Sequence, residues 1–458
     1  MEEDVANNKN ISIDMENMKI SKLAWKISLP MIISMLSIAL YGIIDTIFVS
    51  KIEQNALTAI ILVYPMYNII TAIALGLGIG VNSLLSRTLG EKNSEKCQKI
   101  IINGLKLTII SWMVIAVFCA IFSEKLMCFF TDNYKIVSLG TIYFKITGIL
   151  SIGSFFQITY EKILEAHGKT KDSMIIQISG AVINLVLDPI LIFGIYNFNG
   201  LGISGAAIAT VIGQCFGMLY GFYLIVFRYK IVMLRDIITI KLEKSIVKQI
   251  YQVGLPTTML EIVTSMAILV LNKVLIELSD YAVDVWGIYQ KIQKFFLITI
   301  YGLNYGMIPI VGYNVGAKKQ GRVKETIRYF IKLAIIITFI GTIIFVIFPN
   351  KLIGWFTDSQ EVIDLGTDAL RIMGIGLVFG GVNLVISATF QSFGEGNYSL
   401  IVTLFRKFLI SLPLILLLKN IFGIYIVWWS MVFSEVITII ISIILLKKAL
   451  KKLNLTSN

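Results

Sequence analysis

Charge is scarce in this sequence. Asp, Glu, Lys and Arg make up only 15% of its 458 residues, hydrophobic residues make up 57%, and mean hydropathy is +0.83. A soluble domain of that composition could not cover its surface with polar groups. Histidine occurs once, as His167 in "EAHGKTKD", which reads as a solvated basic loop. The four cysteines (Cys97, Cys119, Cys128 and Cys215) have neither disulfide nor metal-ligand spacing and read as small apolar residues. No GxxxxGK[ST] loop is present, and no nucleotide-hydrolysing domain is expected at either end. The expectation is that any active transport draws on an ion gradient. The first 18 residues are polar and acid-rich, which is not the pattern of a secretory signal.

Long apolar runs are what the sequence has in abundance. Twelve read as spanning helices: 22–49, 56–86, 98–122, 135–160, 172–195, 202–227, 250–276, 284–312, 326–348, 362–390, 398–418 and 422–446. They do not alternate as the strands of a membrane barrel do. The expected fold is an all-α polytopic membrane protein, with twelve transmembrane helices in two pseudo-symmetric six-helix bundles around a central cavity. The expected division is a cytoplasmic tail 1–21, a first bundle 22–227, a linker 228–249, a second bundle 250–446 and a cytoplasmic tail 447–458.

The net charge of +12 does not point to nucleic acid, because its distribution is one-sided. With the N-terminus inside, the ends and inner connections with their flanks carry 28 Lys and Arg, the outer connections 5 and the spans 7. That asymmetry places both ends in the cytoplasm and suggests attraction to anionic lipid. An Ile- and Lys-rich composition suggests a bacterial plasma membrane.

The chain repeats itself at an offset of 226 residues. "SLP" (28–30) matches "GLP" (254–256), "SRTLGEKN" (86–93) falls on "GYNVGAKK" (312–319), and "FFTD" (129–132) falls on "WFTD" (355–358). Each half holds six spans, so the halves share one orientation with a cavity between them. Lys145 matches Arg371 and Lys106 matches Lys332, so these charges read as architectural. The repeated Thr-Asp turn reads as a helix cap, with Thr or Asp at the N-cap.

Features confined to one half are better functional candidates. Asp45 faces Leu271 in the repeat, Asn184 faces Ile410 and Asp188 faces Leu414. At about 1.5 Å per residue both carboxylates lie past mid-depth, toward the outer side. Tyr41 and Asp45, Asn184 and Asp188, and Thr210 and Gln214 are each four apart, so each pair shares a helix face. Together they would line a polar pocket. Pro30 and Pro189 free the carbonyls of Lys26 and Leu185, and with Pro256 mark bends. A buried carboxylate is tolerated when it holds a proton or a hard cation, and Asp45, Asn184, Asp188 and Thr210 offer the oxygens that Na⁺ prefers. Tyr41, Tyr64, Met66, Tyr67, Gln157 and Gln214 are the candidate substrate contacts. Glu261 is divided between substrate contact and structure, and Glu435 reads as structural.

The whole chain resembles the MATE family of multidrug and toxic-compound exporters. The residues that carry the resemblance are Asp45 in "YGIIDTIFVS", Tyr143 in "LGTIYFKITG", "INLVLDPILIFG" (183–194) and "GISGAAIATVIGQ" (202–214). They are similar to the DinF-like branch, which implies a cation site in the first half made of Asp45, Asn184, Asp188 and Thr210, with Tyr143 in the network. Where another branch has an acid in span ten this chain has Gly380 and Gly381, and Glu261 is displaced from that branch's span-seven acid. The resemblance implies antiport by alternating access: H⁺ or Na⁺ enters and a lipophilic, often cationic compound leaves. It implies no enzyme activity and no cofactor beyond the coupling ion, with small molecules and membrane lipids as partners. A monomer is expected. Two rivals remain. A lipid or lipid-linked oligosaccharide flippase would need a cationic cavity, whereas the one-sided charges weighed in the spans are acidic. An intramembrane aspartyl protease would need a GxGD motif, and "GLGIG" (76–80) ends in glycine.

Overall fold

The computed structural model describes residues 14–195, 198–279 and 281–453. The first thirteen residues of the expected N-terminal tail and residues 454–458 of the C-terminal tail lie outside the described residues. Among the described residues eleven helices are long and apolar enough to cross a membrane, and a bent pair supplies a twelfth span. The first half runs α1 (Ile20–Ser50), α2 (Gln54–Gly90), α3 (Ser94–Phe130), α4 (Tyr134–Ile149), α5 (Ile152–Ala166), α6 (Thr170–Phe193) and α7 (Ile203–Tyr223). A π-helical turn (Leu224–Arg228) and α8 (Leu234–Thr239) lead to α9 (Lys244–Leu278). The second half continues with α10 (Ala282–Gly316), α11 (Gln320–Ile347), α12 (Pro349–Gly354), α13 (Gln360–Phe393), α14 (Gly396–Leu404), a second π-helical turn (Phe405–Leu409), α15 (Ser411–Phe422) and α16 (Tyr425–Lys452). The architecture is the expected helical one. Its strands, among the described residues, are a two-residue hairpin, β1 (Gly194–Ile195) antiparallel to β2 (Phe198–Asn199), after α6.

Several helices outrun their apolar stretches because polar residues cap or pair at their ends. Asn93 accepts from the Lys96 N–H at 2.9 Å, so α3 starts at Ser94. The fourth span continues past residue 160 through Glu161, Lys162 and Glu165, where the Lys162 ammonium donates to both Glu165 oxygens at 2.9 Å. His167 follows directly and is not a solvated loop residue. It is 8% exposed, its Nδ1 lies 2.8 Å from the Ile163 carbonyl, and burial pushes its imidazole down to about 4. The repeated Thr-Asp turns cap differently from expectation. Asn133 and Ser359 are the N-caps, and Thr131 and Thr357 accept from the N–H of those capping residues at 3.2 Å. Pro30, Pro189 and Pro256 lie inside unbroken helices, whereas the fourth span bends by 44° between α4 and α5 without a proline.

The repeat is visible in backbone conformation. Lys92 and Lys318 are both left-handed, with φ of 57° and 56°, and Gly168 and Gly394 match at φ of 73° and 83°. The next pair, Gly202 and Gly423 (φ 57° and 58°), shows that the register slips by five residues between these glycines and the preceding pair. Glu435 therefore corresponds to Gln214.

The halves close on each other at the terminal face, where Glu16 and Lys452, near the two ends of the described residues, form ion pairs. Glycines make this seam, because a side chain would collide with backbone. A Cβ on Gly80 would lie 2.4 Å from the Ile250 carbonyl oxygen, and one on Gly316 would lie 1.8 Å from that of Arg87. Ser83 donates to the Gln391 carbonyl and Arg87 to that of Ser392, joining α2 to α13. Glu16 pairs with Lys319 at 2.9 Å and Lys92 at 3.3 Å, one from each half. At the opposite, distal face the ion pairs stay within a half: Lys135 with Glu53 and Lys419 with Glu277, both at 2.6 Å. The molecule is thus shut at the terminal face, and its cavity lies above the seam.

Candidate functional site

The distal half of α1, α6 and α7 brings four of the five expected ion-site residues into one cluster. Asp188 is fully buried, and Asn184 and Thr210 are nearly so. Asn184 donates to Asp188 Oδ1 and to Thr210 Oγ1, each at 3.3 Å. Thr210 Oγ1 lies 3.0 Å from the Ala206 carbonyl and 3.5 Å from the Tyr41 hydroxyl. The Asp45 carboxyl faces that of Asp188 within hydrogen-bonding reach. Four-residue spacing along α6 and α1 is what aims these groups inward.

Three oxygens of the cluster have no hydrogen-bond partner among the described residues: Asp45 Oδ1, Asn184 Oδ1 and Asp188 Oδ2. Buried acceptors left so are rare in folded proteins. Neither carboxylate has a Lys or Arg ion partner among the described residues; besides the other acid, the nearest polar groups are neutral. Two carboxyls, an amide and hydroxyls suit either a shared proton or one hard cation. No group of three or more His, Cys, Asp or Glu with metal-site spacing occurs among the described residues.

The remaining candidates divide. Tyr143 is buried close to Asp45, Tyr41 and Tyr67, without a hydrogen bond from its hydroxyl among the described residues. Tyr67 accepts from Gln214 at 2.7 Å, so both extend the cluster toward the centre. Met66 packs in the first half's distal core beside Val63 and Ile70. Gln157 donates to Glu161 at 3.0 Å and Gln177 at 3.3 Å, in a separate buried network nearer the terminal face. Glu261 lies near Tyr301 and Tyr305 of α10.

A cavity of about 410 Å³ lies in the second half, walled on one side by α2. Of the expected substrate contacts only Tyr64 lines it, with Asn68. Its polar lining also includes Glu435 and, not singled out from sequence, Lys294, Gln290, Gln293, Arg406 and Lys407. Here the expectation that one-sided span charges are acidic needs correction. Arg406 and Lys407 sit at Gly180 and Ala181 in the repeat, and Lys294 at Asn68, so three cations are special to the second half. The signal was legible in "VTLFRKFLIS", two adjacent cations inside an apolar run. Glu435, read as structural, pairs with Arg406 at 3.4 Å and accepts from Asn383 at 2.9 Å, and it also lines the cavity.

Comparison with known proteins now adds to this geometry. The family model for MatE matches residues 30–190 and again residues 256–417, starting at the same offset as the repeat. The chain belongs to the MatE family. The multidrug export protein MepA of Staphylococcus haemolyticus is 27% identical over 425 residues, covering 92% of each chain. A crystal structure of MATE in complex with MaL6 superposes with a TM-score of 0.90 at 25% identity, covering 98% of this chain and 100% of that one. The outward-facing conformation of a multidrug resistance MATE family transporter of the MOP superfamily superposes with a TM-score of 0.88 at 25% identity, covering 97% and 99%. MATE proteins are transporters, and this chain is a multi-pass membrane protein of that family.

Proposed function

We propose that this chain is a cation-coupled antiporter that exports small lipophilic compounds across a bacterial cell membrane by alternating access. The observation that carries the reading is the facing pair of Asp45 and Asp188 with three unpartnered oxygens, present in one half only. Such a pair changes state when an ion arrives, and a site that binds its ion differently in two conformations can drive one of them. The coupling ion is H⁺ or Na⁺, with Asp45, Asn184, Asp188 and Thr210 as its ligands and Tyr143 beside them. With both ends in the cytoplasm, the closed terminal face makes this an outward-facing state. The family likeness to a multidrug export protein supports small-molecule cargo. The working unit is the monomer, since each chain holds both the ion cluster and the cavity.

The test is transport of ethidium in liposomes containing the purified protein, under a proton gradient or a sodium gradient imposed separately. Gradient-driven movement under one ion, lost in Asp188→Asn at normal membrane insertion, is the expected result. Undiminished coupled efflux in that variant would sink the ion-site assignment. A smaller loss is expected for Glu261→Gln, which lies outside the cluster and does not itself line the cavity.

A further inference from the structure

The cavity in the second half gathers three cationic side chains around a single carboxylate. Arg406 and Lys407 lie in the π-helical turn between α14 and α15, a wider turn of the kind that recurs at functional sites. Both line the cavity, as does Lys294 on α10. Neither Lys407 nor Lys294 forms a hydrogen bond or ion pair among the described residues. Arg406 Nε lies 3.4 Å from Glu435 Oε1 but is buried without a hydrogen bond, so its pairing is electrostatic only. The Trp286 indole N–H is likewise buried with no partner, on a side chain only 6% exposed that lines the same cavity. The one carboxylate, Glu435, is spent on Arg406 and on Asn383. Three cations against one engaged acid leave the cavity net positive.

An unpaired buried donor is costly, and a ligand that brings acceptors relieves it. A permanent cation would add a fourth positive charge to the same low-dielectric space. Aromatic surface is also on offer, since Trp286 stacks on Tyr289 with ring centroids 5.4 Å apart, and Tyr301 and Tyr64 join the lining. The volume, about 410 Å³, falls in the range for drug-sized ligands. We infer that this cavity binds an amphiphilic organic anion, a carboxylate or phosphate carried on an aromatic or hydrocarbon body, with Lys407, Lys294 and Arg406 holding the anionic group. As an export substrate this ligand rests on the antiport reading above; as a bound ligand it does not.

The experiment uses the full chain in phosphatidylcholine nanodiscs, with fluorescein as the anionic probe and ethidium as the cationic one, read by fluorescence anisotropy. Fluorescein is expected to bind more tightly than ethidium. Lys407→Gln with Lys294→Gln is expected to weaken fluorescein roughly tenfold to a hundredfold, the loss of charge-assisted hydrogen bonds. Lys407→Arg keeps the charge and should hold affinity, which a merely misfolded variant would not. Fluorescein affinity unchanged by the double substitution, or tighter ethidium than fluorescein in the parent chain, overturns the inference. Competition by phosphatidic acid in the disc against competition by soluble phenyl phosphate tells a lipid headgroup from a free solute. Asp188→Asn should leave fluorescein binding intact while removing gradient-driven movement. Normal driven movement in that variant would fail the antiport reading and leave the anion site standing.

Discussion

The two halves share one fold and carry opposite chemistry at their distal ends. In the first half Asp45 and Asp188 face each other among neutral partners. In the second half Lys294, Arg406 and Lys407 surround the single acid Glu435. Lys294, Arg406 and Lys407 have the uncharged Asn68, Gly180 and Ala181 at the matching first-half positions. A duplicated bundle gives two equivalent sets of positions, and nothing obliges them to keep the same side chains. Gln214 pairs with Tyr67 on one side, while its counterpart Glu435 pairs with Arg406 on the other. The helix between the sites is α2, which gives Tyr67 to the first and Tyr64 and Asn68 to the second. Any shift of α2 is therefore felt by both.

The sharpest way to break this comparison is to neutralise one charge on each side. Arg406 and Glu435 side chains are only 12% and 17% exposed, so Arg406→Met leaves an acid buried with Asn383 alone. We expect a loss of about 3–5 kcal/mol in stability, as for breaking a buried pair, with most of it recovered when Glu435→Leu is added. Asp188→Asn removes a carboxylate that has no cation partner, so stability should hold or rise. Unfolding in detergent micelles followed for the four variants of this cycle, and for Asp188→Asn, decides it. Equal destabilisation by Asp188→Asn and Arg406→Met would give Asp188 a structural partner and dissolve the contrast.

Much of this was legible in the sequence, and the reason is the membrane. Apolar length fixes the spans, so all twelve were found and only their ends moved. The acids stood out because Asp45 and Asp188 have Leu271 and Leu414 opposite them in the repeat. Four-residue spacing then paired Asn184 with Asp188 and Tyr41 with Asp45. Arg406 and Lys407 pass the same test, with Gly180 and Ala181 opposite them, but cations do not point to a cation site. Their orientation was beyond sequence in any case, since it depends on a π-helical turn that a 3.6-residue period does not reveal. His167 went astray for a related reason. The fourth span keeps its helix through Glu161 and Glu165 because Lys162 folds back on Glu165, a pairing that hydropathy reads as a loop.

The second comparison is between the closed terminal face and the open distal one, and glycines are its most direct probe. A Cβ on Gly316 would lie 1.8 Å from the Arg87 carbonyl oxygen, backbone that cannot give way as a side chain would. Gly316→Ala should cost about 1–3 kcal/mol in the closed arrangement, or push the terminal face apart. Gly287, in the same helix α10, has nothing within 4 Å of its would-be Cβ, so Gly287→Ala should be neutral or slightly stabilising. Labelling of a cysteine placed in the seam, in a background without the native cysteines, reports the opening. A seam as protected in Gly316→Ala as in Gly287→Ala would show that the glycines do not hold it.

The smallest effect concerns the strap at the terminal face. Glu16 reaches Lys319 and Lys92, which sit in equivalent turns of the two halves, and these two lysines hold its carboxyl below the usual carboxylate range. A depressed acid contributes its stabilisation above its ordinary value and loses it as pH falls through the lowered one. Closure should therefore weaken only in distinctly acid solution, and Glu16→Gln should mimic that weakening at neutral pH. The expected shift is small, within about 1 kcal/mol, because the pairs are partly solvated. Lys135→Gln removes a pair of similar geometry at the distal face, between α4 and the turn before α2. That pair joins elements of one half, so its loss changes nothing in how the halves meet. Fluorescence transfer between dyes on the two halves should move toward the opened state in Glu16→Gln and stay put in Lys135→Gln. An equal shift in both would mean that surface charge, and not the bridge between halves, sets the balance.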